Sequence, residues 1–301
     1  MFINMKSAAC FVVLVLSMAS AMPFDQIAAG KPAYDDAFSR NLLWPLAAAA
    51  YDPDPQKCAT TAIQGNVTKV VSIPCDLFKG DTCKGFVAVS ESQKAIVLSF
   101  RGTAGTLQLV DEFLEAFQQK VAFNAGHVAK YFLTGFLDIW NNGMKDAVLT
   151  LFSKYPDYQV WVTGHSLGGS MGAIAADYIV TQYRIDPKRV KLITYGEPRT
   201  GDQAFADDHD LKIPYSFRVI HNRDLIPHLP FRELLNMDYE HHMTEIWYKN
   251  NMATADFMVC DQAQEQNTCS DGVLDVWEPD HHDYFNIHDR DAWTAKGCPK
   301  Q

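Results

Sequence analysis

The chain of 301 residues lacks an excess of basic residues: lysine and arginine number 26 against 36 aspartates and glutamates, for a net charge of −10. An acidic surface excludes broad electrostatic attraction to nucleic acid, and to anionic lipid by charge alone. No Gly/Ser linker, repeat or low-complexity tract divides the sequence, which leaves residues 22–301 as one expected domain. No cysteine or histidine spacing resembles a zinc site, so neither a metal nor an organic cofactor is expected. After the first 21 residues no apolar run approaches the ~20 residues that a membrane-spanning helix needs. A soluble, exported product is therefore expected.

Residues 1–21 account for that export. Lys6 is the only charge there, an apolar stretch runs from Ala8 to Met18, and Ala19-Ser20-Ala21 supplies small residues for cleavage. This is the pattern of a secretory signal peptide. Of seven cysteines, Cys10 leaves with it, and an even number in an exported chain implies three disulfides. Cys75 and Cys83 are close neighbours, as are Cys260 and Cys269, which leaves Cys58 with Cys298. That last link would tie the start of the mature domain to its end and is worth roughly 5 kcal/mol in the chain-entropy model, less any strain. Asn66-Val67-Thr68 is an N-glycosylation sequon in a polar region read as turn-rich.

The most informative stretch is Gln159–Gly172, QVWVTGHSLGGSMG. Apolar and β-favouring residues run into Gly164-His165-Ser166-Leu167-Gly168, and a helical run of small and apolar residues follows. A bare Gly-x-Ser-x-Gly arises by chance in roughly one chain in ten of this length, so the weight rests on the flanks. Strand, sharp turn and helix put a serine hydroxyl above a sheet, at a helix N-terminus whose free N–H groups can hold an oxyanion.

Elsewhere, residues 38–50 and 128–153 read as helical, the second with Gly143 as a weak point. Residues 85–90, 95–100, 189–195, 215–220 and 245–248 read as strands. Near-continuous apolar strands alternating with helices imply an α/β fold with a mostly parallel sheet covered on both faces. Ligands gather at the carboxyl edge of such sheets. Ser166, Arg101-Gly102-Thr103, Gly196-Glu197-Pro198-Arg199 and Asn222-Arg223-Asp224 all follow strands, and so should share one rim.

A serine becomes a nucleophile when a histidine takes its proton and a carboxylate orients that histidine. Asp224 suits the carboxylate role, in a loop shaped by Pro227 and Pro230; the bland reading is an aspartate capping its own turn. Asp202, Asp207 and Asp208 compete but follow strands less directly. For the histidine, His281 and His282 come late enough in the chain, while His241 and His242 precede a strand and read as packed or solvated. The oxyanion donors should be the N–H of Leu167 and one from the Gly102-Thr103 turn. Thr106–Lys120 then carries Leu107, Val110, Phe113, Leu114 and Phe117 at helical spacing. It is either an ordinary surface helix or, as its place beside the oxyanion turn favours, a lid.

Six segments taken together resemble the class 3 lipases, α/β-hydrolases that include secreted fungal triacylglycerol lipases and nematode members. They are SFRGT at Ser99–Thr103, VTGHSLGGSMGAIAA at Val162–Ala176, TYGEPRTGD at Thr194–Asp202, FRVIHNRDLIPHLP at Phe217–Pro230, HHMTEIWY at His241–Tyr248 and CSDGVLDVWEPDHHDYF at Cys269–Phe285. The resemblance spans about residues 38–298. It implies the α/β-hydrolase fold with a short helical lid, the triad Ser166, Asp224 and His281, and oxyanion donors at Thr103 and Leu167. The last motif, Asp-His-x-x-Tyr, is what selects His281 over His282, and the fungal disulfides match the pairing above. The sequence departs from the fungal pattern at Leu109 and Val110, where their lids carry an aromatic, and at Met243, where a small residue is expected at the rim. The implied activity is hydrolysis of lipid acyl esters, acylglycerols first, by a monomer acting at a lipid–water boundary. A phospholipase or galactolipase, a feruloyl-type esterase, and a lipid-binding protein that has lost the chemistry are the alternatives.

Overall fold

The computed structural model describes residues 32–75, 82–102, 117–231 and 237–300. Residues 1–21, read as a signal peptide, Thr103, and residues 106–116 of the segment read as a lid lie outside them. Pro32–Gln301 forms one compact unit.

Its centre is an eight-stranded sheet in the order β1-β2-β3-β6-β7-β8-β9-β10. The strands are β1 (Asn66–Pro74), β2 (Thr82–Ser90), β3 (Ala95–Phe100), β6 (Gln159–His165), β7 (Val190–Tyr195), β8 (Ser216–His221), β9 (Glu245–Tyr248) and β10 (Met258–Cys260). The five strands β3, β6, β7, β8 and β9 are parallel, and antiparallel pairs close both edges. The small hairpin β4 (Lys120–Phe123) and β5 (Gly126–Ala129) stands apart.

The period of two along each strand divides the core. Ile96, Leu98, Phe100, Val160, Val162, Val190 and Leu192 point to one face and pack with Phe132, Phe136, Trp140, Met171 and Ile174. Ala95, Val97, Trp161, Ile193 and Tyr195 point to the other and pack with Trp44, Leu46 and Ala47. Helix α1 (Trp44–Ala49), preceded by a π turn at Ser39–Leu43, covers that second face beside β6, β3 and β7. A second short helix, α2 (Gln56–Ile63), follows it. Helices α3 (Lys130–Ile139) and α5 (Leu167–Tyr183) cover the first face, α5 lying on β6 and β7 with α3 against it. Between α3 and α4 (Lys145–Lys154) the helix breaks at Gly143, whose φ of 122° only glycine adopts readily. The expected continuous run over 128–153 is thus β5, α3 and α4. Helix α6 (Gln203–Lys212) links β7 to β8, and α7 (Arg290–Ala295) ends the chain.

Two local expectations change. Asn66 does not sit in a turn: it opens β1, an edge strand whose Val67, Thr68, Val70, Val71 and Ile73 favour extended backbone, and it is exposed. The end of the lid segment is not helical, since Phe117 is a buried turn residue against Phe132 and Tyr239, and Lys120 begins β4. Met243 is buried, with its N–H on Asp210 Oδ1 of α6. All three disulfides pair as expected: Cys58–Cys298, Cys75–Cys83 and Cys260–Cys269.

The turn from β6 into α5 requires glycines because backbones meet there. A Cβ on Gly164 would stand 2.1 Å from Gly168 O, and one on Gly168 would stand 2.2 Å from Phe100 O. Gly172, a turn later, has nothing nearer than 3.6 Å. Gly168→Ala is therefore expected to cost about 1–3 kcal/mol through forced backbone shifts. Gly172→Ala should be neutral or stabilising by helix propensity, about 1 kcal/mol at most. Urea melts of the two variants check this; equal midpoints contradict it.

Candidate active site

Ser166 stands between β6 and α5 with φ 61° and ψ −135°, a conformation costly for a residue bearing a Cβ. Its N–H bonds Tyr195 O at 2.9 Å, and its own carbonyl accepts from Gly169 N–H at 2.8 Å. Two backbone bonds and the glycine contacts thus hold the strain. Leu167 is the first residue of α5, so its N–H has no intrahelical acceptor and lies at the positive end of the helix dipole. Gly102, after β3, lies against Ser166: a Cβ there would meet Ser166 Cβ at 2.7 Å. Thr103, the other expected oxyanion donor, is outside the described residues.

Asp224 follows β8 and is fully buried. Its carboxylate accepts from His281 Nδ1 at 2.9 and 3.0 Å, from Ile226 N–H at 2.9 Å and from the Tyr284 hydroxyl at 2.8 Å. Burial alone would raise its pKa; the His281 ring, the Ile226 N–H and the Tyr284 phenol outweigh it and hold the group below its ordinary value. Tyr284, also buried, is pushed well above the usual phenol range by that burial and then by Asp224, so it stays protonated and donates.

Of the paired histidines, His281 meets Asp224, while His282 is half-exposed and pairs with Glu278 at 2.7 Å. The loop before His281 is fixed by Asp280, which accepts from Asn222 Nδ2 and Arg223 N–H. Residue 196 sits between these groups: Gly196 has φ 57°, and a Cβ there would lie 2.8 Å from both Asp224 Oδ2 and the His281 ring. Because Ser166 N–H bonds the preceding carbonyl of Tyr195, serine and histidine flank one residue of β7's end. Among the described residues, the Ser166 hydroxyl forms no hydrogen bond to the His281 ring. Catalytic contacts of this kind often tighten only when substrate arrives.

The rival carboxylates are occupied. Asp202 caps α6 and pairs with His127, Asp207 contacts Gln203, and Asp208 pairs with Lys212. His241 and His242 are buried: His241 Nε2 donates to Pro227 O, and His242 contacts Glu197 at 3.2 Å and stacks on His209 at 4.0 Å. Arg199 of the TYGEPRTGD segment is a clamp, bonding Glu265, Asp271 and the carbonyls of His228 and Pro230. It holds the loop closed by Cys260–Cys269 against the rim.

Sequence reasoning missed the wall behind the site. Trp44 is fully buried against His165, Tyr195 and Tyr284, with ring centroids 5.1–5.7 Å away. Its Nε1 has no partner, a cost of about 1–3 kcal/mol. Burying some 150–250 Å² of indole at ~25 cal/mol/Å² contributes about 4–6 kcal/mol, so packing wins. Tyr284 stood in the quoted Asp-His-x-x-Tyr motif without a role; its spacing from His281 was the available signal.

The sheet and its serine-bearing turn define an α/β-hydrolase. The profile of the family described as Lipase (class 3) matches residues 97–234. A lipase of Caenorhabditis elegans is 34% identical over 310 residues, covering 88% of this chain and 86% of its own. A lipase of Rhizopus niveus is 30% identical over 208 residues, 68% of this chain and 51% of its own, so the chain spans about half of that relative. The crystal structure of a lipase from Rhizopus microsporus var. chinensis shares the fold with a TM-score of 0.73, covering 95% of this chain and 99% of that one at 24% identity. The chain belongs to the class 3 lipases, a family of carboxylic-ester hydrolases.

Two outcomes follow from the electrostatics. Tyr284→Phe removes a charge-assisted hydrogen bond worth about 1.5–3 kcal/mol and should lower kcat about tenfold; an unchanged kcat contradicts the role given to the phenol. The second concerns stability. His165, His241 and His242 are all held below the ordinary histidine range, burial being the largest cause. The unfolded chain protonates them below about pH 6.5 while the fold resists, so stability should fall with pH there, at most about 1.4 kcal/mol per unit for each. His209, raised by Asp177 against the effect of burial, acts in the opposite sense above pH 6.5. Urea midpoints at pH 7 and pH 5 test this, and equal midpoints contradict it.

Proposed function

We propose that this protein is a secreted serine hydrolase of lipid acyl esters, acylglycerols first, with Ser166, Asp224 and His281 as its triad. The observation that carries the proposal is the buried Asp224–His281 hydrogen bond beside the strained Ser166 turn. The Ser166 oxygen attacks the ester carbonyl carbon while His281 Nε2 takes the hydroxyl proton. Asp224, ionised and immobile, stabilises the imidazolium and keeps Nδ1–H facing itself. The tetrahedral oxyanion is held by the N–H of Leu167 and, in this proposal, that of Thr103. Collapse breaks the ester C–O bond, and His281 gives its proton to the departing alcohol. Water then attacks the acyl-enzyme by the same route, releasing the fatty acid and restoring the serine.

Secretion is supported by the N-terminal segment and by three disulfides, which persist in oxidising compartments. No described helix is long and apolar enough to cross a membrane. The exposed Asn66 at the start of β1 is the proposed glycan site.

Ser166→Ala and His281→Ala should each lower ester turnover by about 10³–10⁶-fold while leaving the fold intact, with a lower melting point for His281→Ala because Asp224 loses a donor. His282→Ala should stay within about threefold of the parent. Turnover of short and long acylglycerols, phosphatidylcholine and a feruloyl ester, with fluorophosphonate labelling at Ser166, checks substrate and nucleophile together. Loss of activity in His282→Ala equal to that in His281→Ala contradicts the assignment, and preference for phospholipid or feruloyl ester contradicts the substrate.

A further inference from the structure

A chain of hydrogen bonds runs from the turn after β3 to the backbone carbonyl of His281, and no side chain in it belongs to the triad. Gly102 N–H bonds Tyr51 Oη at 3.2 Å, Tyr51 Oη bonds His165 Nδ1 at 2.9 Å, and His165 Nε2 bonds His281 O at 2.8 Å. The proton on His165 is placed by its partners, and the Tyr51 hydroxyl has a near acceptor in His165 Nδ1 at 2.9 Å and a farther one in the His165 carbonyl at 3.4 Å. The His281 carbonyl can only accept, so His165 carries its hydrogen on Nε2. Burial and then the neighbouring His281 and Arg290 keep the His165 ring neutral, so Nδ1 is a lone pair. Tyr51 therefore donates to Nδ1, and its oxygen is left to accept from Gly102 N–H.

The rings are packed as well as bonded. His165 lies 4.3 Å from His281, centroid to centroid, and the Arg290 guanidinium covers the Tyr51 ring at 3.5 Å. A Cβ on Gly102 would fall 2.5 Å from Tyr51 Oη, so the turn and the phenol have no slack. His165 is also the residue before Ser166, which places the nucleophile's own backbone in the same chain.

We propose that Tyr51 and His165 are positioning residues that hold the oxyanion turn and the His281 loop in a fixed relation to each other across Ser166. This rests on the triad reading above. The two loops lie almost 180 residues apart in the sequence, and this chain of hydrogen bonds is what links one directly to the other. Both must address the same tetrahedral carbon, so a displacement of either acts on the transition state more than on substrate binding.

The experiment uses the full mature chain and four proteins: the parent, Tyr51→Phe, His165→Leu and His165→Gln. Tyr51→Phe strands both Gly102 N–H and His165 Nδ1, and His165→Leu breaks the link to His281. His165→Gln keeps one donor and one acceptor at the end of the side chain. Tyr51→Phe and His165→Leu should lower kcat about 10–100-fold with KM within about twofold, and His165→Gln should recover most of the loss. Melting curves read the folded fraction, and the rate of fluorophosphonate labelling at Ser166 reads the chemistry without any ester. A parent that labels but turns over no lipid ester defeats the substrate reading and leaves the coupling measurable by labelling. Labelling rates and kcat within threefold of the parent in both Tyr51→Phe and His165→Leu overturn the coupling. So does a loss that follows the folded fraction alone, or a glutamine variant as impaired as the leucine one.

Discussion

A carboxylate with no access to water must be held by donors, and Asp224 is held by three. The His281 ring, the Tyr284 phenol and the Ile226 N–H converge on it. Leaving such a charge without partners would cost several kcal/mol, so the fold is constrained to bring the loop after β8 and residues 281–284 together. The pairing also fixes the imidazole: with Nδ1–H committed to Asp224, Nε2 is the nitrogen left to carry the serine proton in the proposed reaction. Asp280, Arg223 and Arg199 then brace these loops from outside, through ion pairs and backbone bonds that do not touch the site.

The serine side of the site depends on a different constraint, the near contact of backbones. Ser166 is strained, and the strain persists because Gly164, Gly168 and the end of β3 leave the turn nowhere to relax. The start of α5 is uncapped by any side chain. Its free N–H groups are available to an oxyanion for that reason, at some cost in helix stability. The two constraints meet at the end of β7, where the Tyr195 carbonyl takes the Ser166 N–H and Gly196 leaves room for the His281 ring.

Much of this was legible in the chain because buried parallel strands leave a plain mark. AIVLSF and RVKLITY are strands that no polar residue interrupts for long, and both occur where expected. The serine turn was readable from its glycines, and Asp224 from its place after a strand. Edge strand β1 was not legible, because its outer face is solvated and Thr68, Lys69 and Ser72 hide the extended pattern. KVAF of β4 and GHVA of β5 carry little period over four residues, whereas the equally short EIWY of β9 was readable from its β-branched and aromatic residues. Adjacent histidines cannot be ranked by spacing, since only the path of the loop decides that His281 turns to Asp224 and His282 to Glu278. Tyr51 was invisible for a related reason: one polar residue gains its meaning from contacts more than a hundred positions away.

The central claim is that Ser166, His281 and Asp224 act on one carbon at the carboxyl edge of this sheet. A crystal structure of the protein inhibited by a lipid-like alkyl phosphonate tests it most directly. The account predicts phosphorus bonded to Ser166 Oγ, His281 Nε2 within hydrogen-bonding distance of that oxygen or of the leaving-group position, and the phosphoryl oxygen on the Leu167 N–H. Phosphorus on any other residue, or a His281 ring turned away from the adduct with Asp224 still bound to it, would contradict it.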